Sequence, residues 1–320
     1  MADPVLAPDA PFHIVSNAGS GSRDAHEARQ QIQAIFAAAN RRHEFILIDN
    51  PVQLGEVAKK AVDSAARSGG AVVVAGGDGT INAILQAVLP TRRPFGIIPQ
   101  GTFNYSGRAH GIPLETADAA TALLTARVKP VQVGLVNGRA FLVNASVGLY
   151  PELLQDREAY KRQYGRHRSV ALWSGLVSLL REHRQWVMEL DRGQGREQLR
   201  TPSIFVGNNV LQLEQVGLDE AADVKRQGRL AAVVVKPVSN AQIVWLAVRG
   251  LLGRLGEDQR VSSFSFDDMT VRLLSRVSRR GIKVAVDGEI LWCQPPLTFQ
   301  VAPDPLMLLA PPPGQEATPE

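Results

Sequence analysis

Residues 71–82 read AVVVAGGDGTIN, an apolar run without alternation that ends in three glycines set around an aspartate. An unbroken apolar run of this length suits a strand buried on both faces, the kind found in parallel sheets. Beyond the turn, Ile81, Ile84, Leu85 and Val88 fall at helical spacing across Thr80–Leu89. Asp-Gly is also a hairpin signal, but a hairpin needs alternating strands on both sides. The unit is therefore strand, glycine turn, helix. In that arrangement a backbone can close on an anion at a helix N-terminus.

The same grammar runs through the first third of the chain. PFHIVS reads as a strand, Ala25–Ala39 as a helix and EFILI as a strand; a helix follows at about Gln53–Arg67, then AVVVA, the Thr80 helix and the strand FGIIP. Such alternation implies right-handed crossovers and a parallel sheet with helices on both faces. Ligands of such sheets bind beyond the carboxyl ends of the strands. Three turns rich in glycine and asparagine, SNAGSGS (16–22), GGDGTIN (76–82) and PQGTFN (99–104), share that edge.

After about Lys129 the pattern changes. VQVGLVNGRAFLVNASVG reads as two strands around an Asn-Gly turn, followed by a helical stretch over 151–184. QWVMELD, TPSIFVGN, RLAAVVVKP, MTVRLLS, IKVAVDGEILW and LTFQVA are strand-like, with one helix around Ala241–Leu255 among them. The expected fold is α/β plus β: a parallel-sheet nucleotide-binding domain followed by a mostly antiparallel β-sandwich. Its parts are a flexible N-terminus (1–10), an α/β domain (11–129), a β-rich domain (130–310) and a flexible tail (311–320), with a cleft between the domains. The last strand is free to return to the first domain.

Composition narrows the partners. The 320 residues are 45% hydrophobic with a formal net charge of +4, and the 6% aromatics do not interleave with a basic stretch. Nucleic-acid binding is thereby disfavoured, whereas phosphates and anionic membrane surfaces remain. Cys293 is the lone cysteine, which excludes an intramolecular disulfide and a cysteine metal site and suits a reducing cytoplasm. The six histidines show no metal-ligand spacing. MADPVLAPDAP lacks the features of a secretory leader, and the apolar SVALWSGLVSLL (169–180) is too short to span a bilayer. KRQYGRHR at Lys161–Arg168 beside that stretch, and Ala241–Arg254, could each be a basic amphipathic membrane surface; for Ala241–Arg254 a core-facing helix is the favoured reading.

No GxxxxGK[ST] and no GxGxxG follow the first strand, so neither a P-loop nor a dinucleotide fingerprint is present. In GGDGT, the glycines Gly76, Gly77 and Gly79 permit positive φ and close approach to a phosphate, and Thr80 offers a hydroxyl. Asp78 has two readings. A carboxylate beside phosphate oxygens calls for a bridging cation such as Mg²⁺; alternatively it caps the helix.

Taken together, GGDGTIN, PQGTFNYSGRAHGIP, the opening SNAGSG, VNGRAFLVNASVG, VDGE at 286–289 and the closing PLTFQVAPDPLMLLAPPP resemble the diacylglycerol kinase catalytic domain family, in its bacterial soluble lipid kinase branch. The resemblance implies an α/β nucleotide domain, a β-sandwich domain and a site between them. It assigns ATP to Asn17, Gly76, Gly77, Asp78, Gly79, Thr80, Ile81, Asn82, Gly101 and Thr102. It implies Mg²⁺ at Asp78 through the nucleotide, and a general base at Glu289. Asp287 and Gly288 also read as a plain hairpin turn.

The chain departs from the family pattern at several positions: Tyr105 stands where an aspartate is usual, as does Gln132, Arg226-Gln227-Gly228 replaces an acidic accessory metal loop, and Asp49 replaces a threonine. The implied activity is ATP-dependent phosphorylation of a lipid hydroxyl by a cytoplasmic enzyme, peripheral at the inner membrane surface through its basic surface. Two alternatives are an inactive nucleotide- or lipid-binding protein on a kinase scaffold, and an NAD-kinase-like enzyme with a soluble acceptor.

Overall fold

The computed structural model describes residues 6–17, 23–101, 103–151, 154, 185–193, 195–275 and 279–317. The helical stretch expected over 151–184, with Lys161–Arg168 and the apolar run 169–180, lies outside the described residues except at 151 and 154. The chain divides into two compact units, Met1–Val133 with Ala302–Glu320, and Gly134–Val301.

In the first unit, β1 (Phe12–Asn17), β2 (His43–Ile48), β3 (Ala71–Gly76), β4 (Phe95–Pro99), β5 (Arg127–Val131) and β18 (Leu306–Ala310) form one sheet in the order β2-β1-β3-β4-β18-β5. The first four strands and β18 run parallel, and β5 closes the edge antiparallel to β18. β3 is buried at every position, as its uninterrupted apolar run requires. Helices α1 (Arg23–Ala38), α2 (Leu54–Ser68), α3 (Asp78–Val88), α4 (Tyr105–Arg108) and α5 (Thr116–Thr125) complete the unit. α2 presents only alanines to the interior, Ala58, Ala61 and Ala65, so it can lie close to its neighbours. The expected flexible tail is described to Ala317, whose N–H donates to the Gly111 carbonyl at 2.8 Å.

The second unit holds two antiparallel sheets. One has the order β10-β9-β14-β17-β6-β7, built from Arg196–Thr201, Trp186–Asp191, Asp268–Leu273, Leu297–Val301, Gly134–Val136 and Arg139–Phe141. The other has the order β13-β12-β11-β8-β15-β16, built from Val261–Phe266, Leu230–Val235, Ser203–Gly207, Asn144–Gly148, Ile282–Val286 and Glu289–Cys293. One apolar core draws on both sheets, with Phe141, Met188 and Phe299 from the first and Val147, Ile204 and Val284 from the second, which is the packing of a sandwich. Asn137-Gly138 and Asp287-Gly288 turn two of its hairpins with positive φ at both positions, the geometry that matches strand twist.

Several elements differ from the sequence reading. The helix after the glycine turn starts at Asp78, not Thr80, and the second unit has helices Val210–Gln215 and Ala221–Gln227 besides Asn240–Leu251. β5, β10 and β13 escaped notice because all three are sheet edges. They carry proline, charges or serines in place of an apolar run, as edge strands do.

β18 inserts between β4 and β5 with all five residues buried. Leu308 is fully buried, and truncation of such a leucine costs about 2–5 kcal/mol. We expect Leu308→Ala to lower the unfolding free energy of the first unit, measured by urea titration, by an amount in that range, with an unchanged midpoint counting against this packing.

Candidate functional site

The register of the parallel sheet brings three strand ends to one edge. Ser16 pairs with Ala75 and Gly76 with Pro99, so Asn17, Gly76 and Pro99 finish close together. Of the turn that follows β1, residues 18–22 lie outside the described residues, as does Thr102.

The two remaining turns lean on each other. A Cβ at Gly101 would meet the Gly77 Cα at 3.0 Å, and one at Gly77 would meet the Gly101 Cα at 3.3 Å. Neither glycine has positive φ, nor does Gly76, and Gly79 lies inside α3. Of the two freedoms glycine offers here, positive φ is thus unused. Glycine is needed at 77 and 101 because two backbones touch, and at Gly76 because a Cβ would press on the Thr80 side chain at 3.0 Å. The left-handed residue is Asn104, at φ 49°. Its Oδ1 accepts the Gly101 N–H at 2.8 Å and its Nδ2 donates to the Gly101 carbonyl at 3.0 Å. The Gln100 N–H donates to the Gly76 carbonyl at 3.0 Å, tying the second turn to β3.

α3 opens with Gly77 as its N-cap and no capping side chain. Asp78 therefore does not cap the helix. It occupies the first turn, and its Oδ1 accepts the Ser106 N–H at 3.3 Å. The first intrahelical bond runs from the Ile81 N–H to the Gly77 carbonyl, so the N–H groups of Asp78, Gly79 and Thr80 are the helix's unpaired donors, where a helix dipole favours an anion. Ile81 and Asn82 are buried, and Asn82 Oδ1 accepts from Gln86 Nε2 at 3.0 Å. Phe103 and Tyr105 stack on this turn with ring centroids 5.9 Å apart. His110, which follows α4, has its pKa lowered to about 4 by burial and the Lys129 charge. It is neutral at pH 7 and adds no cation there.

In the second unit, Glu289 is exposed at the first position of β16. Two residues earlier Asp287 is 9% exposed and left-handed. Its carboxylate accepts the N–H groups of Leu142 (2.8 Å), Val143 (2.8 Å) and Asn144 (3.0 Å). This residue is more than a turn former, since it fixes the β7–β8 connection to the hairpin that carries Glu289. Asn144 Nδ2 donates to Gln212 Oε1 at 2.9 Å, and Gln212 N–H to Asn209 Oδ1 at 3.0 Å. The Arg226-Gln227-Gly228 loop ends a helix, with Gln227 Nε2 on Asp223 Oδ1 at 3.0 Å. Among the described residues no group of three or more His, Cys, Asp or Glu could hold a metal ion.

Gln212 also lines a cavity of about 300 Å³ over the outer face of the β12-β11-β8 sheet. Phe205, Val233, Val235, Leu246 and Ile243 make its walls, and Ser203 adds a hydroxyl. The size is at the small end for ligand pockets. Asn104, Ser106 and Asp287 were missed as site-forming residues. All three nevertheless fall in stretches quoted for the resemblance, Asn104 and Ser106 in PQGTFNYSGRAHGIP and Asp287 in VDGE.

A family model for the diacylglycerol kinase catalytic domain matches residues 11–136. A protein named "Diacylglycerol kinase" from Bacillus subtilis (strain 168) is 27% identical over 243 residues, covering 73% of this chain and 76% of that protein. "Probable lipid kinase YegS-like" from Pseudomonas aeruginosa (strain UCBPP-PA14) is 44% identical over 122 residues, 37% of this chain and 40% of that protein. A crystal structure of a diacylglycerol kinase from Bacillus anthracis str. Sterne matches with a TM-score of 0.67 at 20% identity, covering 95% of this chain and 97% of that one, a likeness of fold.

Removing the Asp287 carboxylate strands three backbone donors, and each unsatisfied buried group costs about 1–3 kcal/mol. We expect Asp287→Ala to destabilise the second unit by at least about 3 kcal/mol in chemical denaturation. Near-neutral stability would show that water replaces the carboxylate.

Proposed function

Because the chain belongs to the diacylglycerol kinase catalytic domain family, we propose that it transfers the terminal phosphoryl group of ATP to a lipid hydroxyl. The observation that carries this reading is the contact of Gly77 with Gly101 beside the uncapped N-terminus of α3. Two side-chain-free backbones and unpaired N–H donors suit the phosphates of a nucleotide.

In this reading the N–H groups of Asp78, Gly79 and Thr80 bind phosphate oxygens, with Gly76, Gly77, Gly101 and Thr102 forming the walls and Asn17 contributing from β1. Ile81 and Asn82 act from beneath, by holding α3 in the core. Asp78 keeps one oxygen on the Ser106 N–H and has the other for a cation. A single carboxylate next to phosphate oxygens suits Mg²⁺, which keeps most of its waters. The ion would neutralise charge on the transferring group. Glu289 accepts the proton of the acceptor hydroxyl, and Asp287 positions it by anchoring the hairpin tip. The hydrocarbon part of the acceptor occupies the apolar cavity. Gln227 leaves no acidic accessory loop, so Mg²⁺ enters with ATP.

Diacylglycerol or a related lipid is the proposed acceptor, and the cytoplasmic face of the inner membrane the proposed place of action. Among the described residues no helix is long and apolar enough to cross a membrane. Association through Lys161–Arg168, outside the described residues, would weaken as salt screens exposed charge.

The test is transfer of label from terminally labelled ATP into the organic phase, with Mg²⁺ and extracted lipids. A general base contributes about a hundred- to ten-thousand-fold. Glu289→Gln should lose activity on that scale with nucleotide affinity little changed, and Asp78→Asn should lose Mg²⁺-dependent turnover. If wild-type protein labels no lipid, the kinase reading fails and a binding protein on this scaffold replaces it; full activity in Glu289→Gln removes the base.

A further inference from the structure

Helix Asn240–Leu251 has the sequence NAQIVWLAVRGL, with Arg249 its only charged residue. Its inner face is conventional, with Ile243 and Leu246 buried and, together with Ala247 and Gly250, lining the apolar cavity. Its outer face is not. Trp245 is 51% exposed, Val248 41%, Leu251 89% and, just past the last turn, Leu252 67%. These positions follow one another at helical spacing and form a single stripe. The core-facing reading of Ala241–Arg254 therefore holds for one face and fails for the other. Scattered exposed leucines need no explanation, whereas a contiguous stripe with a tryptophan and no charge marks an interaction surface.

The charges around the stripe select its occupant. Lys236, Arg254 and Arg260 flank the helix in sequence; Arg249 is paired with Glu257 at 2.8 Å, and Arg249 and Arg260 share Asp258 at 3.7 Å each. From 236 to 260 the chain carries these four cations against two carboxylates, so the segment that bears the stripe is net positive. A second copy of the chain across a two-fold axis would set this segment against itself, like charge on like charge. A lipid surface presents the opposite sign at the headgroups and an apolar layer beneath them, where tryptophan also settles.

We propose that the outer face of Asn240–Leu252 docks on a lipid bilayer, with Trp245, Val248, Leu251 and Leu252 entering the interface. The helix thus separates two apolar spaces, the bilayer outside and the cavity inside. Its significance for phosphoryl transfer rests on the lipid kinase reading, but docking itself needs neither ATP nor acceptor. The attachment is mainly apolar, which distinguishes it from a purely electrostatic contact.

Partitioning onto phosphatidylcholine vesicles, with and without phosphatidylglycerol, tests the proposal by flotation at low and high salt. Wild-type protein should bind both, more tightly with phosphatidylglycerol at low salt, and keep a salt-resistant part on phosphatidylcholine. The triple variant Trp245→Ser/Leu251→Ser/Leu252→Ser, altered only at exposed positions, should melt like wild type and bind at least tenfold more weakly. Equal binding by the two proteins overturns the proposal, as does wild-type protein that binds neither vesicle. A dimer by light scattering that the variant converts to a monomer also overturns it, because a second copy then covers the stripe. Label transfer to an acceptor dispersed in detergent is read separately. Its failure in both proteins counts against the kinase reading and leaves the vesicle result to decide docking.

Discussion

The backbone contact between Gly77 and Gly101 is the constraint on which the proposed phosphate site of the first unit depends. Two turns that follow different strands meet with no side chain between them, because any Cβ at Gly101 would lie 3.0 Å from the facing Cα. The contact in turn relies on β3 and β4 ending level, through the pairing of Gly76 with Pro99. Asn104 then takes a left-handed conformation and spends both ends of its amide on Gly101. Ser106, two residues on, donates its N–H to Asp78. The turn is therefore held by its own hydrogen bonds, which is what electrostatic preorganisation of the proposed phosphate site requires.

The second unit solves a different problem, that of fixing a hairpin tip. Asp287 stays at the tip with three backbone donors on its carboxylate, and its own N–H donates to the Asn144 carbonyl at 2.9 Å. Asn144 continues this network to Gln212 at the cavity wall. Glu289 stands next to a rigid, hydrogen-bonded tip, so its backbone is fixed while its side chain stays exposed. The general-base role proposed for Glu289 would benefit from that division.

Much of this was legible in the sequence, and the remainder was not for identifiable reasons. The unbroken run at 71–75 and the helical spacing beyond it located β3 and α3, and Asn137-Gly138 announced its hairpin. Edge strands such as REQLRT were silent because half-exposed strands carry little apolar signal. Gly76, Gly77 and Gly79 permit both positive φ and close approach, and glycine composition does not tell which of the two is used. The contact of residues 77 and 101 is a tertiary fact that no local pattern encodes. Trp245 and Leu251 share the helical period of core residues, so the sequence could not say which face was outward. Asp287 read as a turn residue because its three donors come from a segment about 140 residues away in the chain.

Hydrogen–deuterium exchange with and without Mg-ATP addresses the central claim, that the paired glycine turns are a nucleotide cradle. Mg-ATP should slow exchange, with the effect concentrated in residues 76–82 and 100–106. Unchanged exchange in both segments, or protection confined to other parts of the chain, would contradict it.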